Sequence, residues 1–513
     1  MFEGSIPIAI GITGVLGSFL IASLAFAVVF QKKKFPFDNP LFNLAVAMPL
    51  GPIALAWLLW IYFRFLPHQS YTLYVVLCLL PFMGVLAFHL KEAARILTAI
   101  ANALGQFKRW PWRPAEGKYD WPVGLVWLGG SIILITTTVQ LFGMPLMASD
   151  PLEYASLSEV IYQDRSLENY PLAPSTEQGF YARSSHPPAF HMMIVYSYIW
   201  QGGGDSSRLL RLIEFHYLFA FVALLALATY KAMPPGRSRN MAVALSLLFT
   251  MSIPFYVSLV TAFHIDPIRI PLFLNGMVFV AALLEREGIW EKKSNQKTGL
   301  KLKDGRYFTA PIVLTGVAVG FGMFAHSIGI LLLPFTQGAY FLVTRSSFWR
   351  RCAICTVFGL TALFIGAGQY VQNTIDFGVP FHDSEPIWEL PQVDHKTDVR
   401  YRRDLVDLRQ RIHNGLFAWV FRPSIFGTVH NLALLSFLLF WRSIWANRYG
   451  RVMVLGILQF YAIAGLTMSL GIDIVIKNIR YMLTLMPFLV VLASIGGGRF
   501  YAYITSFTQS RSE

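Results

Sequence analysis

The chain of 513 residues is 55% hydrophobic and 15% aromatic but only 14% charged, where a soluble chain carries about a quarter charged residues. With a mean hydropathy of +0.52 it has too little polar surface to face water, which excludes intrinsic disorder and a purely soluble enzyme. Long continuous apolar runs, rather than short alternating strands, argue against an outer-membrane barrel. They favour an all-α polytopic bundle in which every helix pairs its own backbone groups.

In chain order, windows of about 20 apolar residues predict transmembrane spans at 6–30, 41–66, 71–90, 121–147, 208–230, 241–262, 268–285, 309–326, 328–344, 352–372, 427–441, 452–470 and 480–497. The first is too long for the core of a cleavable signal peptide and ends on Lys32-Lys33-Lys34, so it reads as a span. Thirteen crossings place the N-terminus outside and the C-terminus inside. The segments then lying inside (31–40, 91–120, 231–240, 285–307, 345–351, 442–451 and 498–513) hold 27 Lys and Arg against 9 Asp and Glu, and the rest of the chain holds 15 and 19. This is the positive-inside pattern. It accounts for the net charge of +14 without a nucleic-acid partner.

Ala189–Trp200 is short for a span and is expected to form a juxtamembrane or re-entrant helix of the outer loops. Two larger segments, 148–207 and 373–426, face outward, the second with a surface helix expected over 400–413. The chain divides into an accessory three-span bundle (1–120), a core (121–497) and an inner tail (498–513). Cys78, Cys352 and Cys355 stand in apolar surroundings and give no disulfide framework.

The residues that can carry chemistry gather at outer span ends. In Ser149-Asp150-Pro151-Leu152-Glu153-Tyr154, Asp150 reads as an N-cap, Pro151 as N1 and Glu153 as a capping-box acid. Either carboxylate is also a general base for an acceptor hydroxyl, with Glu153 and partial burial expected to raise the pKa of Asp150. His186-Pro187-Pro188 reads as a rigid turn before a helix, with His191 as a packing residue. In Phe263-His264-Ile265-Asp266-Pro267-Ile268-Arg269, Asp266 and Arg269 form an ionisable cluster in a short outer turn, a functional-site signal that simple mutual pairing would also explain. His326 ends a span on the same side. Lys477 and Arg480, beside Tyr481, open the final span against both the helix dipole and the positive-inside rule, which points to a bound anion such as a lipid phosphate.

This ordered set resembles the glycosyltransferase C superfamily, multi-span enzymes that include protein O-mannosyltransferases and the aminoarabinose transferase of lipid A. The resemblance covers roughly residues 121–497. It rests on Asp150 with Tyr154, on His186-Pro187-Pro188 followed by Gly203-Gly204-Asp205 and Arg208-Leu209-Leu210-Arg211-Leu212, on Asp266, and on Arg480-Tyr481 with Met486-Pro487-Phe488. His326 stands where some members carry a lysine that contacts the carrier phosphate. The common Asp-Glu pair is absent, since Glu153 follows Asp150 by three residues, and no counterpart of the first three spans belongs to the basic pattern.

The resemblance implies an inverting transfer of sugar from a polyprenyl-phosphate carrier to a glycan, lipid or protein acceptor, at the outer face of a bacterial inner membrane. Asp150, Glu153 and Asp266 would then be the catalytic carboxylates. Arg480, Tyr481, Lys477, His326, His186 and Arg269 would bind substrate and carrier phosphate. Some members of the superfamily use a divalent metal such as Mg or Mn and others do not. Two alternatives stand beside it: a transporter or lipid flippase, favoured by Glu214 and His216 inside a span, and a polysaccharide polymerase or ligase using a diphosphate-linked donor.

Overall fold

A computed structural model of the chain describes residues 5–107, 120–146, 149–167, 170, 187–203, 209–296, 305–377, 422–469 and 479–510. Among the described residues every regular element is helical. The helices are α1 (Ser5–Lys33), α2 (Pro40–Ala47), α3 (Leu50–Phe65), α4 (Tyr71–Phe88), α5 (Leu90–Phe107), α6 (Trp121–Gly143), α7 (Ser149–Asp164), α8 (Ala189–Gln201), α9 (Arg211–Ala232), α10 (Arg237–Met251), α11 (Pro254–Ala262), α12 (Asp266–Gln296), α13 (Gly305–Ala325), α14 (Leu332–Val343), α15 (Phe348–Gly366) and α16 (Gly368–Phe377). After these come α17 (Pro423–Phe426), α18 (Val429–Ala446), α19 (Arg448–Ser469), α20 (Ile479–Met482) and α21 (Met486–Ser510).

Apolar surface is arranged as a bilayer demands. On α6, Leu125, Leu128, Ile132, Ile135, Val139 and Phe142 are exposed at spacings of three and four, one continuous outward stripe that water would not tolerate. At the centre, every residue from Phe263 to Leu284 is buried, and the 270–284 stretch of α12, apolar on all sides but for Asn275, is enclosed all round. Nine described helices are long and apolar enough to cross a membrane, and two bent pairs, α2 with α3 and α10 with α11, raise the number to eleven. The stretches expected as spans at 309–326 and 328–344 form shorter apolar helices. The structure therefore supports nine to eleven crossings, not the thirteen expected.

Proline explains the bends and how they are healed. Pro52 has no N–H to offer the carbonyl four residues back, so Met48 O is released at the α2–α3 break. It is taken by Ser23 Oγ at 3.2 Å and His216 Nε2 at 2.8 Å. Nearby, Val46 O accepts from Asn275 Nδ2 at 2.9 Å and Pro49 O from the Tyr217 hydroxyl at 3.1 Å. Trp57 Nε1 donates to Ile365 O at 2.9 Å, so the first three spans are hydrogen-bonded to elements of the 121–497 segment at several points.

Two elements differ from expectation. Residues 91–107, part of the expected inner segment 91–120, belong to the amphipathic helix α5, with Leu90, Leu97 and Leu104 exposed at heptad spacing. Such a stripe suits a helix lying in a membrane surface. α8 is short as expected, but residues 189–198 are buried throughout. The Tyr196 hydroxyl donates to Ser18 Oγ at 2.9 Å and the Tyr198 hydroxyl to Ala155 O at 3.2 Å, tying α8 to α1 and α7. The expected surface helix at 400–413 lies outside the described residues.

The α13–α15 contact rests on a motif of small residues. A Cβ added at Gly316 would stand 2.6 Å from Phe358 O, and one at Gly320 2.8 Å from Ala362 O. The four-residue spacing of these glycines lets the two backbones touch.

Candidate functional site

Five elements converge at one end of the bundle. α11 ends at Phe263, which takes the left-handed conformation at φ 64°, uncommon for a bulky residue. The Arg211 guanidinium lies 5.6 Å over its ring and Phe190 packs at 5.2 Å. The turn frees the N–H of His264, which donates to Glu214 Oε1 on α9 at 2.6 Å. Glu214 is fully buried and lies 3.8 Å from Arg211, whose guanidinium also donates to the carbonyls of Met144, Pro145 and Thr261 at 2.7–3.1 Å.

His264, thus fixed, reaches both ways. Nδ1 lies 2.9 Å from Asp266 Oδ2, and Nε2 lies 3.2 Å from Asp150 Oδ2. Arg480 Nη1 donates to the same Asp150 oxygen at 2.6 Å and touches His264 Nε2. A neutral tautomer with its proton on Nδ1 lets Nε2 accept from Arg480, and protonation turns Nε2 toward Asp150 as a donor. Behind them, Arg269 pairs with Asp266 and donates to Thr484 Oγ1 at 2.5 Å and to the carbonyl of Arg480 at 3.1 Å. Thr484 is available because α20 and α21 are joined by a 3₁₀ turn, Leu483–Leu485, just before Pro487.

The chain of contacts is buried at its root and open at its tip. Asp266 and Arg269 are 1% exposed, whereas the side chains of Asp150 and Arg480 are 20% and 21% exposed. Burial alone would push the His264 imidazole down. The hydrogen bonds to Asp150 and Asp266 outweigh it, against the opposing charge of Arg480, and the pKa of His264 is raised. The bond from His264, with Arg480 beside it, outweighs burial at Asp150 and holds its carboxyl well below the usual carboxylate range. This corrects the expected rise. Asp150 also lies in the first turn of α7 rather than at its N-cap, and its carboxylate is turned to His264 and Arg480.

Asp150, Asp266, Arg269 and Arg480 are therefore brought together. The Tyr481 ring packs 6.0 Å from the His326 ring, with Arg269 5.9 Å over it. His326 is buried and its Nδ1 accepts from the Ile328 N–H at 3.1 Å, capping the 3₁₀ turn that follows. Glu153, one turn along α7 from Asp150, is half-buried. His186 and Lys477 lie outside the described residues. His191 packs as expected, with Tyr154 at 5.6 Å and Ser158 Oγ at 3.2 Å. His264, Glu214, Arg211 and Thr484 were not singled out as site residues. The signals were an imidazole next to Asp266 and a charge placed inside a span.

Among the described residues no group of three or more His, Cys, Asp or Glu side chains is placed to hold a divalent metal, and the oxygens of Asp150 and Asp266 that face the cluster are turned to guanidinium groups. The fold is that of a multi-pass α-helical membrane protein with a buried ionic chain at one end. Compared with known proteins, the chain matches no family model, no curated protein and no solved structure.

Proposed function

We propose that the protein is an integral-membrane glycosyltransferase that moves a sugar from a polyprenyl-phosphate carrier to an acceptor at the end of the bundle where Asp150 and Arg480 meet. The observation that carries the reading is this partly exposed carboxylate–guanidinium contact, backed by a buried His264-Asp266-Arg269 support. A base and an anion holder are the two groups such a transfer needs.

In the proposed reaction the acceptor oxygen attacks the anomeric carbon while the bond from that carbon to the carrier phosphate breaks. The phosphate leaves with the bonding electron pair, and the configuration inverts. Arg480 holds the developing charge, and a preorganised cation in a dry site contributes more there than in water. As the donor phosphate takes up Arg480, its hold on Asp150 weakens. The carboxylate, still positioned by His264, then accepts the acceptor's proton. Asp266 and Arg269 position His264 and the Arg480 backbone, and Tyr481 and His326 wall the carrier side. Where the acceptor is itself a phosphate, Asp150 becomes a positioning group.

The proposal extends to topology. The short helices around α13 and α14 complete thirteen crossings, the basic segments lie inside, and the site faces outward from a bacterial inner membrane. Glu214 and His216, the residues that favour a transporter, hold a turn and heal a helix break.

The test uses purified protein and a labelled polyprenyl-phosphate sugar, comparing wild type with Asp150→Asn and Arg480→Ala. Loss of sugar release in both variants is expected. Full activity in both would refute the site, and vectorial transport without turnover of any carrier-linked sugar would favour a transporter.

A further inference from the structure

A second charged recess lies at the other end of the bundle. α12 carries Asp266 at one end and Glu285 nineteen residues on, about 28 Å along a helix. There the ends of α9 and α14, the 284–288 stretch of α12 and the α18–α19 junction line a pocket of about 590 Å³ whose charged lining is Lys231, Glu285, Glu287, Arg345, Arg448 and Arg451.

The two acids are already committed. Glu285 takes Lys231 Nζ at 3.0 Å and the Tyr449 hydroxyl at 3.1 Å. Glu287, buried, accepts from the Tyr340 hydroxyl at 3.0 Å and Thr344 Oγ1 at 2.7 Å, with Arg350 at 3.6 Å. Arg345, Arg448 and Arg451 remain, and among the described residues none of them pairs with a carboxylate.

Two of these guanidinium groups are held in place by backbone. Arg448 donates to Glu285 O at 2.9 Å and lies so close over Gly288 that a Cβ there would stand 1.8 Å from its nitrogen. Arg451 donates to Trp445 O. Three like charges around one recess, two of them fixed, repel each other until an anion joins them, and guanidinium forks match phosphate oxygens best. Trp349, Trp441 and Trp445, all exposed on α15 and α18, mark the depth of a membrane–water interface.

We propose that this recess binds a phosphate group, carried as a phosphomonoester or diphosphate, at the basic end of the bundle. Arg345, Arg448 and Arg451 are its ligands, and the site is separate from the Asp150–Arg480 cluster. The source is a lipid headgroup reaching in from the bilayer or a soluble phosphate ester from the aqueous side.

The experiment measures binding to the full-length detergent-solubilised protein by native mass spectrometry and thermal shift. One arm titrates phosphatidic acid in mixed micelles against phosphatidylcholine, and the other titrates inorganic pyrophosphate. Saturable stabilisation in the first arm alone assigns the site to a lipid, and in the second to a soluble ester. Arg345→Gln, exposed and expected to fold, and the Arg345→Gln/Arg448→Gln pair should each weaken binding, the pair by about tenfold or more. Arg480→Ala should leave it unchanged. No saturable binding in either arm, or equal binding by wild type and Arg345→Gln, overturns the proposal.

Discussion

Arg480 donates to Asp150 across 2.6 Å although 330 residues separate them, and His264 touches both. The contact joins the first turn of α7 to the start of α20. Neither local segment has a reason of its own to bury a charge.

Removing the guanidinium should therefore cost chemistry more than fold. Arg480→Ala is expected to lower kcat for sugar release about 100-fold or more, the usual loss when a preorganised donor to transition-state charge is deleted. Arg480→Lys should recover part of it, because the charge returns without the fork. Steady-state rates with a labelled carrier-linked sugar check this, and equal rates for Ala and Lys would contradict it.

The acid and alkaline limbs of stability should have separable origins. Asp150 is held below its usual range, so its contribution is present above about pH 4 and lost as pH falls through the folded value. His264 is raised, so its contribution is full below about pH 6.5 and lost as pH rises through the folded value. Thermal unfolding in detergent from pH 3 to 9 should show Asp150→Asn flattening the acid limb and His264→Gln flattening the alkaline limb.

Glu214 accepts from the His264 N–H and faces the buried Arg211. Glu214→Ala leaves both without their acidic partner and should destabilise the protein by about 3 kcal/mol. Glu214→Gln keeps an acceptor for the N–H and should cost less. Denaturant titrations of the two variants decide the order, and equal costs would remove the role given to Glu214.

At the α13–α15 contact, Gly320→Leu should force the helices apart and lower Tm sharply, since Ala362 O already stands 2.8 Å from the position of a Cβ. Gly465, with nothing within 4 Å of a Cβ, should accept leucine with little change. Thermal shifts of the two variants, measured side by side, test the packing directly.

Much of the class was legible one residue at a time. Lipid solvation acts locally on each helix, so runs of about 20 apolar residues such as Trp121–Gly143 announce themselves. Asp150, Asp266, Arg269 and Arg480 stood out because charge at a span end is costly wherever the helix packs. The apolar stretches at α13 and α14 read as two spans in the sequence, and in the structure they are separated only by a 3₁₀ turn, Ser327–Leu331, a break that hydropathy does not report.

What composition and periodicity determined was the solvent this chain folds in and which residues are too polar to be there by accident. Only the tertiary structure decided that Asp150 meets Arg480, that His264 bridges them, that Glu214 holds a turn, and that Arg345, Arg448 and Arg451 ring a second recess. Those relations depend on how bent helices lie against one another, and hydrogen bonds between groups hundreds of residues apart leave no periodic trace in the chain that makes them.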